Sequence, residues 1–294
     1  MILGIDIGNS FIKSSEGVKF ESKTTKIKPF SKYDELRIDG STIYLGTGNR
    51  DTDYRKIEKS NYINFLYGAI ALSTKDIRNK VVVGLPISQY QEDKNELINM
   101  ILLNHKKNIE INGKNKTLII EDVDVAPEGV VAINNDFNGI VVDIGGRTTD
   151  TCIVTSENGR RKIERPLTQP TGVLNLNNEF ITLINGKFGL DLKETDANRI
   201  IQNGLKIYGQ QQDIGFAINV FKEYVENLIN LLQVEYSLKT YDIALVGGGS
   251  ALLYKPFKKR LANARLLDNF FFANANGYKK VGKGVWSEWL FKVK

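Results

Sequence analysis

Two short segments combine a buried strand, an aspartate and a turn of small residues. They are ILGIDIGNSFIK, residues 2–13, and VVDIGGRTTD, residues 141–150. In each, an apolar run ends at an aspartate, Asp6 or Asp143, and a glycine follows two positions later. Such a turn exposes backbone N–H groups that bind phosphate oxygens. The aspartate can hold a hydrated Mg²⁺ beside them, because Mg²⁺ prefers oxygen ligands and keeps several waters. The pair predicts a site that clamps a polyphosphate and its metal from two sides.

The two segments align residue by residue. The matched pairs are Asp6 with Asp143, Gly8 with Gly145, Asn9 with Gly146, and Lys13 with Asp150. Hydroxyl donors come from Ser10, Thr148 and Thr149, and Lys13 can reach a phosphate as a point charge. Taken alone, each segment is equally compatible with an ordinary Asp-Gly turn. The sequence has no GxxxxGK[ST] motif, and the first segment lacks the glycine spacing of a dinucleotide-binding fingerprint.

Two further segments add groups that a nucleotide site would need. YDIALVGGGSALL, residues 241–253, ends a strand in Gly247, Gly248 and Gly249, which leave room for a flat ring or a ribose against the backbone. Close packing of strand and helix would equally explain those glycines. DVAPEGVVAI, residues 124–133, places Glu128 shortly before the second aspartate segment. Glu128 could orient or deprotonate an attacking water, or stabilise a helix start.

The apolar pattern predicts the elements that carry these residues. Strands are expected at 1–7, 11–14, 42–45, 81–85, 117–125, 139–144, 151–155 and 242–246. Several are continuous apolar runs, typical of strands buried on both faces in α/β proteins. Helices are predicted from NYINFLYGAIALSTK, DKNELINMILLN and IGFAINVFKEYVENLINLLQVEYSLK, whose apolar residues repeat with helical spacing.

The spacing of the two aspartate segments, nearly half the chain length, predicts two similar domains that arose by duplication. Turn-forming residues in NNDFNG, residues 134–139, suggest a hinge between them. The polar segment 24–53 is expected to leave the first domain as an excursion, and LINGKFGLDLKETDANRII is expected to leave the second.

Composition excludes several other kinds of protein. One cysteine, Cys152, excludes internal disulfides and CxxC zinc sites, which fits a reducing cytoplasm. One histidine, His105, argues against a histidine-based triad or a two-histidine metal site. The net charge of +6 comes from scattered basic clusters without interleaved aromatics, which favours solvated surfaces over direct DNA reading. The stretch MILGIDIGNS has no basic region ahead of an apolar one, which predicts a buried strand rather than a signal peptide. No apolar run reaches the roughly 20 residues that span a bilayer.

The order of these motifs resembles that of the actin, sugar-kinase and heat-shock-chaperone ATPase superfamily. DIGNSFIK looks like its first phosphate motif, VAPEGVVA its first connecting motif, VVDIGGRTTD its second phosphate motif and ALVGGGSALL its adenosine motif. ANANGYKKVG, residues 273–282, resembles the second connecting motif. Within the superfamily, DIGGRTTD and VGLPISQY are most similar to plasmid-segregation actin-like proteins of the ParM/StbA type.

This resemblance implies an α/β actin-like fold, with two similar domains built on duplicated mixed-sheet, ribonuclease-H-like cores around a nucleotide cleft. Residues 1–138 would form the first domain, with an insertion at about 24–53, and residues 139–276 the second. Residues 277–294 would pack back on the first domain. There Val285, Trp286, Trp289, Leu290 and Val293 share a helical face, which is expected to dock on the protein rather than on a membrane surface.

The resemblance also implies roles for individual residues. Asp6 and Asp143 would lie near Mg²⁺, and Glu128 and Asp143 would be catalytic. The nucleotide, ATP or GTP, would be bound by Gly8, Asn9, Ser10, Lys13, Gly145, Gly146, Arg147, Thr148, Gly172, Lys206, Gly247, Gly248 and Gly249. Two positions depart from the family pattern. Phe11 replaces a small or hydroxyl residue, and Arg147 replaces a small one; Arg147 could clamp phosphate, cross the cleft or, as we expect, lie exposed.

The implied function is that of a polymerising ATPase or GTPase in a prokaryotic cytoplasm, forming dynamic filaments that segregate plasmid DNA. Its partners would be copies of itself and a small DNA-binding adaptor on a centromere-like site, with no sequence-specific DNA contact of its own and no membrane. The main alternative is a small-molecule kinase of the same superfamily, such as a sugar or pantothenate kinase. A chaperone-like ATPase would need a large substrate domain after residue 294, and a nucleotide-binding scaffold would not need Asp6, Asp143 and Glu128 together.

Overall fold

The first part of the chain folds around a mixed β-sheet. In the computed structural model, which describes residues 1–51, 53–157 and 160–287, this sheet has ten strands. They are β1 (Ile2–Ile7), β2 (Phe11–Ser14), β3 (Lys19–Glu21), β4 (Lys23–Thr25), β5 (Asp34–Ile38), β6 (Ser41–Leu45), β7 (Asn49–Arg50), β8 (Arg78–Leu85), β9 (Lys106–Ile111) and β10 (Lys114–Pro127). Their order is β3-β2-β1-β8-β10-β9-β5-β6-β4-β7.

The polar segment 24–53 extends this sheet instead of leaving it. Strand β5 pairs with β9, β6 pairs with β5, and β4 pairs with both β6 and β7. Leu36, Ile43 and Leu45 join the core of the first sheet. The strands here have two to five residues each, so few apolar side chains suffice to bury one face, and the average polarity of the segment concealed them.

A second sheet forms from the later part of the chain. Among the described residues it contains β11 (Gly139–Ile144), β12 (Thr149–Glu157), β13 (Arg160–Gln169), β16 (Asp242–Val246) and β17 (Ala264–Leu266), with a separate hairpin of β14 (Leu205–Ile207) and β15 (Gln210–Gln212). The order is β13-β12-β11-β16-β17.

The two sheets repeat one five-stranded arrangement. In each, the aspartate-bearing strand, β1 or β11, pairs antiparallel with the next strand and parallel with a later one, β8 or β16. The register repeats as well, because Asp6 lies opposite Lys13 and Asp143 lies opposite Asp150. The predicted duplication, and with it the α/β fold of two similar domains, is therefore confirmed.

Helices cover both sheets. They are α1 (Tyr62–Ser73), α2 (Ile87–Leu103), α3 (Val173–Phe188), α4 (Ala197–Asn203), α5 (Gly215–Glu235), α6 (Ser250–Arg260) and α7 (Ala273–Ser287), with 3₁₀ turns at Lys56–Glu58, Val130–Ala132 and Glu194–Asp196. The three predicted helices are confirmed as α1, α2 and α5, although α2 begins six residues before the predicted stretch, directly after Pro86. Helix α3 was not predicted, because its first turns are rich in asparagine, a weak helix former.

Helix α7 returns the chain to the first sheet. Tyr278 is fully buried in a cluster with Val82 and Ala126, and the Trp286 indole N–H donates to Asp122 Oδ2 at 2.8 Å. Positions 289, 290 and 293 of the predicted apolar face lie outside the described residues. Among the residues that the structure covers, we find no helix with the length and apolar character needed to cross a membrane.

Candidate functional site

The two aspartate-bearing hairpins meet across a cavity between the sheets. Each turn closes with the same hydrogen bond, from Gly8 N to Phe11 O at 3.1 Å and from Gly145 N to Thr148 O at 2.9 Å. The tips are in contact, since a Cβ at Gly146 would overlap the Ser10 hydroxyl. Glycine is therefore required here for close approach of the two loops. The cavity is lined by residues of both hairpins, namely Gly8, Asn9, Ser10, Gly145, Gly146 and Thr148.

The two aspartates of the hairpins lie in the same cavity wall but have different partners. Asp6, 4% exposed, forms a 2.7 Å ion pair with Lys13, the residue opposite it on β2. Asp143, 5% exposed, accepts a 2.8 Å hydrogen bond from the side-chain amide of Asn274. Burial, followed by the nearby charge of Glu128, raises the pKa of Asp143 to about 7. A bound cation would favour the ionised form of such a carboxylate.

Asn274 links this aspartate to the connecting segment at Glu128. Its amide oxygen accepts from Gly129 N at 2.9 Å while its amide nitrogen donates to Asp143. Asn274 lies in the first turn of α7, so the returning helix fixes one of the two aspartates. The segment ANANGYKKVG was predicted to be a connection, but nothing in its pattern distinguished Asn274 from its neighbour Asn276.

Behind the second hairpin, Asp150 occupies the position equivalent to Lys13. It is 2% exposed and accepts hydrogen bonds from Thr148 Oγ1 at 3.2 Å and from Thr168 Oγ1 at 2.5 Å. Burial raises its pKa to about 6, and the Thr168 hydrogen bond partly offsets that effect. The first hairpin thus adds a cation where the second adds a carboxylate, so the charge of the repeated site is asymmetric.

Glu128 does not stand alone in the cavity wall, because it pairs with Lys56. The Lys56 ammonium donates to Glu128 Oε1 and, at 3.1 Å, to the carbonyl oxygen of Gly84. Lys56 is 2% exposed. Burial raises the pKa of Glu128, and Lys56 counteracts part of that rise. Burial lowers the pKa of Lys56, but Glu128 and Asp6 outweigh burial and the net shift is upward. The pair is therefore a buried ion pair.

Two buried polar side chains of α2 hold the segment around Lys56 in place. Gln89 of α2 accepts from the Lys56 backbone N–H at 3.3 Å and donates to Tyr54 O at 3.3 Å. Asp93, on the same helix and fully buried, forms an ion pair with Arg55. Sequence reasoning did not find Lys56, since DYRKIEKS, residues 53–60, matches no motif that would single out one of its two lysines. The available signal was the pair of polar residues Gln89 and Asp93 on the buried face of α2, but only the fold shows that they lie beside Lys56.

The three glycines after β16 have different neighbours. A Cβ at Gly247, whose φ is +86°, would overlap the Asp143 carboxylate, and one at Gly249 would overlap Val173. Gly248 faces the open cavity, where a Cβ would only touch the ring of Phe271. That ring packs edge-on against Phe11 at 5.3 Å, with Lys13 Nζ 5.0 Å from its centroid. Phe11, the departure from the family pattern, therefore supports an aromatic wall of the cavity.

Three predicted nucleotide residues are placed differently from the rest. Gly172 packs behind the second hairpin, because a Cβ there would overlap the backbone of Gly145 and Gly146. It precedes α3, whose first N–H groups donate to those same two carbonyls. Lys206 is exposed on the β14–β15 hairpin and does not line the cavity. Arg147 is half-buried rather than exposed and lies near enough to Lys59 to lower that lysine's pKa.

The arrangement suits a polyphosphate with its own metal. Within 1–51, 53–157 and 160–287, no three His, Cys, Asp or Glu side chains are grouped to hold a metal ion by themselves. Mg²⁺ is usually bound by one or two carboxylates together with phosphate oxygens and water. Asp6 and Asp143 fit that requirement. Buried acceptors without a partner, Asn9 Oδ1 and Asn177 Oδ1, also lie on cavity-lining residues and fit a ligand that donates hydrogen bonds.

Family models match most of the chain in two consecutive parts. Residues 4–130 match the N-terminal domain of actin-like proteins, and residues 141–259 match the C-terminal domain of archaeal MreB-like actin homologues. The first match ends at the start of the 3₁₀ turn Val130–Ala132 and the second begins within β11, so the gap between them lies where the first sheet gives way to the second. No curated protein sequence matches the chain.

Solved structures of actin homologues superpose on nearly the whole chain. A non-polymerisable quadruple mutant of pCBH ParM is 20% identical with a TM-score of 0.81, and the match covers 96% of this chain and 99% of that one. The archaeal actin homologue Ta0583 in complex with ADP is 17% identical with a TM-score of 0.81, covering 97% and 99%. A 15-stranded ParM filament from Clostridium botulinum is 20% identical with a TM-score of 0.76, covering 96% and 99%. At these identities the likeness establishes the fold.

Proposed function

The chain belongs to the actin-like proteins, and we propose that it binds a Mg²⁺-nucleoside triphosphate between its two domains and hydrolyses it as it assembles into filaments. The observation that carries the proposal is the pair of aspartate-bearing hairpins of identical register that face one cavity. A cleft between two similar domains can close on a nucleotide and convert its hydrolysis into a change of shape.

Phosphate groups would be held by the backbone and hydroxyls of the two hairpin tips. Ser10 of the first tip and Thr148 of the second supply hydroxyls, and Gly145 and Gly146 allow close approach of phosphate oxygens. Lys13 adds a positive charge from within the wall. The cavity carries negative side chains as well, so binding of the phosphates depends on the metal that accompanies them.

The metal would be held by Asp6 and Asp143 through its water shell and the phosphates. When bound, Mg²⁺ neutralises phosphate charge and orients the terminal phosphate. This chain's own residues prepare the position. Asn274 fixes the Asp143 carboxylate by donating to one oxygen, and Lys13 fixes Asp6. Burial raises the pKa of Asp143 and so disfavours its ionised form, and a divalent cation nearby would favour that form again.

Glu128 would orient the attacking water. It lies on the cavity wall between the two domains, and Lys56 holds its carboxylate in one place with a charge-assisted hydrogen bond. A carboxylate so held accepts a hydrogen bond from water and aims the oxygen, as general-base groups in phosphoryl transfer do.

The filament and its biological role are inferred from the solved relatives. One of these relatives is a ParM filament, and another is a ParM mutant described as non-polymerisable. We infer filament formation for this chain as well: a cytoplasmic filament of its own copies that moves plasmid DNA through a small DNA-binding adaptor on a centromere-like site. ATP and GTP both fit the proposal.

Light scattering with simultaneous phosphate release tests this function. Mg-ATP or Mg-GTP is added to tens of micromolar protein. We expect scattering to rise and then to decay as phosphate is released. Unchanged scattering, together with phosphate transfer to a small alcohol acceptor, would contradict filament formation and favour a small-molecule kinase instead.

A further inference from the structure

A polar bridge crosses the mouth of the cavity from one domain to the other. Arg50, at the end of β7, belongs to the segment 24–53, to which no motif assigns a role. Its guanidinium Nη2 lies 3.4 Å from Glu194 Oε2, on the 3₁₀ turn Glu194–Asp196 of the second domain. The two side chains are 21% and 19% exposed, so most of each is withdrawn from water. Screening by salt is weaker for such a pair than for an exposed one.

The same guanidinium also holds the first hairpin. Arg50 Nη1 donates to Asn9 O and to Ser10 O, both at 3.3 Å. Those two carbonyls belong to the tip that faces Gly146. One side chain therefore ties the first phosphate-binding tip to a carboxylate on the opposite side of the cavity.

At the other end, Glu194 is held from within its own domain. Asn177 of α3 donates from its amide nitrogen to Glu194 Oε1 at 3.2 Å. A carboxylate only accepts, so this contact fixes the orientation of the Asn177 amide. Its oxygen then has no donor in the structure, although Asn177 is 2% exposed and lines the cavity. A buried acceptor without a donor points to a ligand that supplies one, such as a hydroxyl or an amino group of a nucleoside.

We propose that the Arg50–Glu194 bridge is a latch that closes the two domains over the bound nucleotide and sets the rate at which the nucleotide leaves. This rests on the proposed nucleotide site. Opening the cavity separates the two domains and must break the bridge, whereas an open cavity admits nucleotide without it. Loss of the bridge therefore speeds dissociation more than association. For a partly buried ion pair across an interface, we expect dissociation to rise about five- to tenfold.

The variants are chosen to separate the bridge from its surroundings. Glu194→Gln removes the charge but retains an oxygen that can accept from Asn177. Arg50→Gln removes the cation, and the double variant completes a double-mutant cycle. Glu21→Gln is the matched control, because Glu21 Oε2 lies 3.6 Å from Arg50 Nη2 but belongs to β3 of the same domain as Arg50. It removes a second carboxylate beside Arg50 Nη2 and leaves the contact with Glu194 between the domains in place.

Release of a fluorescent (mant-labelled) ADP is followed by stopped flow after mixing with excess unlabelled nucleotide. We expect both single variants to release the labelled ADP faster by the stated factor, and the double variant to match the faster of the two. The association rate of Glu194→Gln and both rates of Glu21→Gln should stay within about twofold of the wild type. Additive effects of the two substitutions, or wild-type release from Glu194→Gln, would overturn the latch while leaving the nucleotide site intact. Failure of the wild type to bind the labelled nucleotide would instead overturn the nucleotide site, and the latch with it.

Discussion

Replacing Lys56 by methionine tests the buried ion pair at the centre of the site. Methionine keeps the length of the aliphatic stem but leaves Glu128 without its cation. The pair is 2% and 13% exposed, so solvent cannot replace the lost partner. Removing one member of a buried ion pair costs about 3–5 kcal/mol. Unfolding entropies of about 2.1 cal/mol/K per residue give about 0.6 kcal/mol/K for 294 residues, so Tm should fall by about 5–8 °C if the chain unfolds as one unit.

The pH dependence of that loss has a defined sign. Without Lys56, burial raises the pKa of Glu128 further, and the folded protein then binds a proton that the unfolded chain releases. The variant is therefore least stable relative to the wild type at high pH, and the difference shrinks as the pH falls and Glu128 becomes protonated. Differential scanning calorimetry at pH 8 and pH 5.5 measures both effects.

A double variant provides the control for this experiment. Lys56→Met combined with Glu128→Gln removes both charges, so no uncompensated charge is left in the interior. We expect the double variant to recover most of the lost Tm. If Lys56→Met lowers Tm by less than about 2 °C, or if the double variant has a still lower Tm, the assignment of a buried ion pair at this position is refuted.

Three other substitutions follow from the same geometry. Glu128→Gln keeps an acceptor for Lys56, so we expect assembly to persist while phosphate release slows by about 10²–10⁴-fold; unchanged phosphate release would remove the proposed role of Glu128. Burial lowers the pKa of Lys59 from 10.5 to about 8, so between about pH 8 and 10.5 the unfolded chain holds a proton that the folded protein has lost. The free energy of unfolding should therefore rise over this pH range. Urea unfolding should show the rise in the wild type and not in Lys59→Met. Gly277→Ala would drive a Cβ into Val131 O and should lower the free energy of unfolding by about 1–3 kcal/mol. Gly284→Ala, on the same helix with open space around it, should not destabilise the protein. Equal stabilities of the two variants would contradict the docking of α7.

The repeated hairpin was predictable because its chemistry is local. A buried strand, an aspartate and small turn residues occur within ten positions of the sequence, so Asp6, Gly8, Asp143 and Gly145 could be placed before any fold was known. Duplication of the same pattern then indicated the two-domain arrangement, and the observed register agrees with the alignment of the two segments.

The remaining site residues come from segments distant in sequence. Lys56, Asn274 and Arg50 reach the cavity from a 3₁₀ turn, from a returning helix and from a two-residue strand, and their partners lie 72, 131 and 144 residues away in the chain. No periodicity links such positions. Gly172 is a different case: the family resemblance placed it at the nucleotide, and in the structure it packs against the backbone of the second hairpin at the start of α3.

The nucleotide site itself is tested most directly by equilibrium binding to wild type and to Asp143→Ala. Fluorescent ATP and GTP analogues are titrated with and without Mg²⁺, with circular dichroism to verify folding. We predict that the wild type binds at least one of them in a Mg²⁺-dependent manner, and that Asp143→Ala, although folded, loses more than about tenfold in affinity together with the dependence on Mg²⁺. If Asp143→Ala binds the nucleotide with the same affinity and the same Mg²⁺ dependence as the wild type, the proposed Mg²⁺-nucleotide site at Asp143 is contradicted.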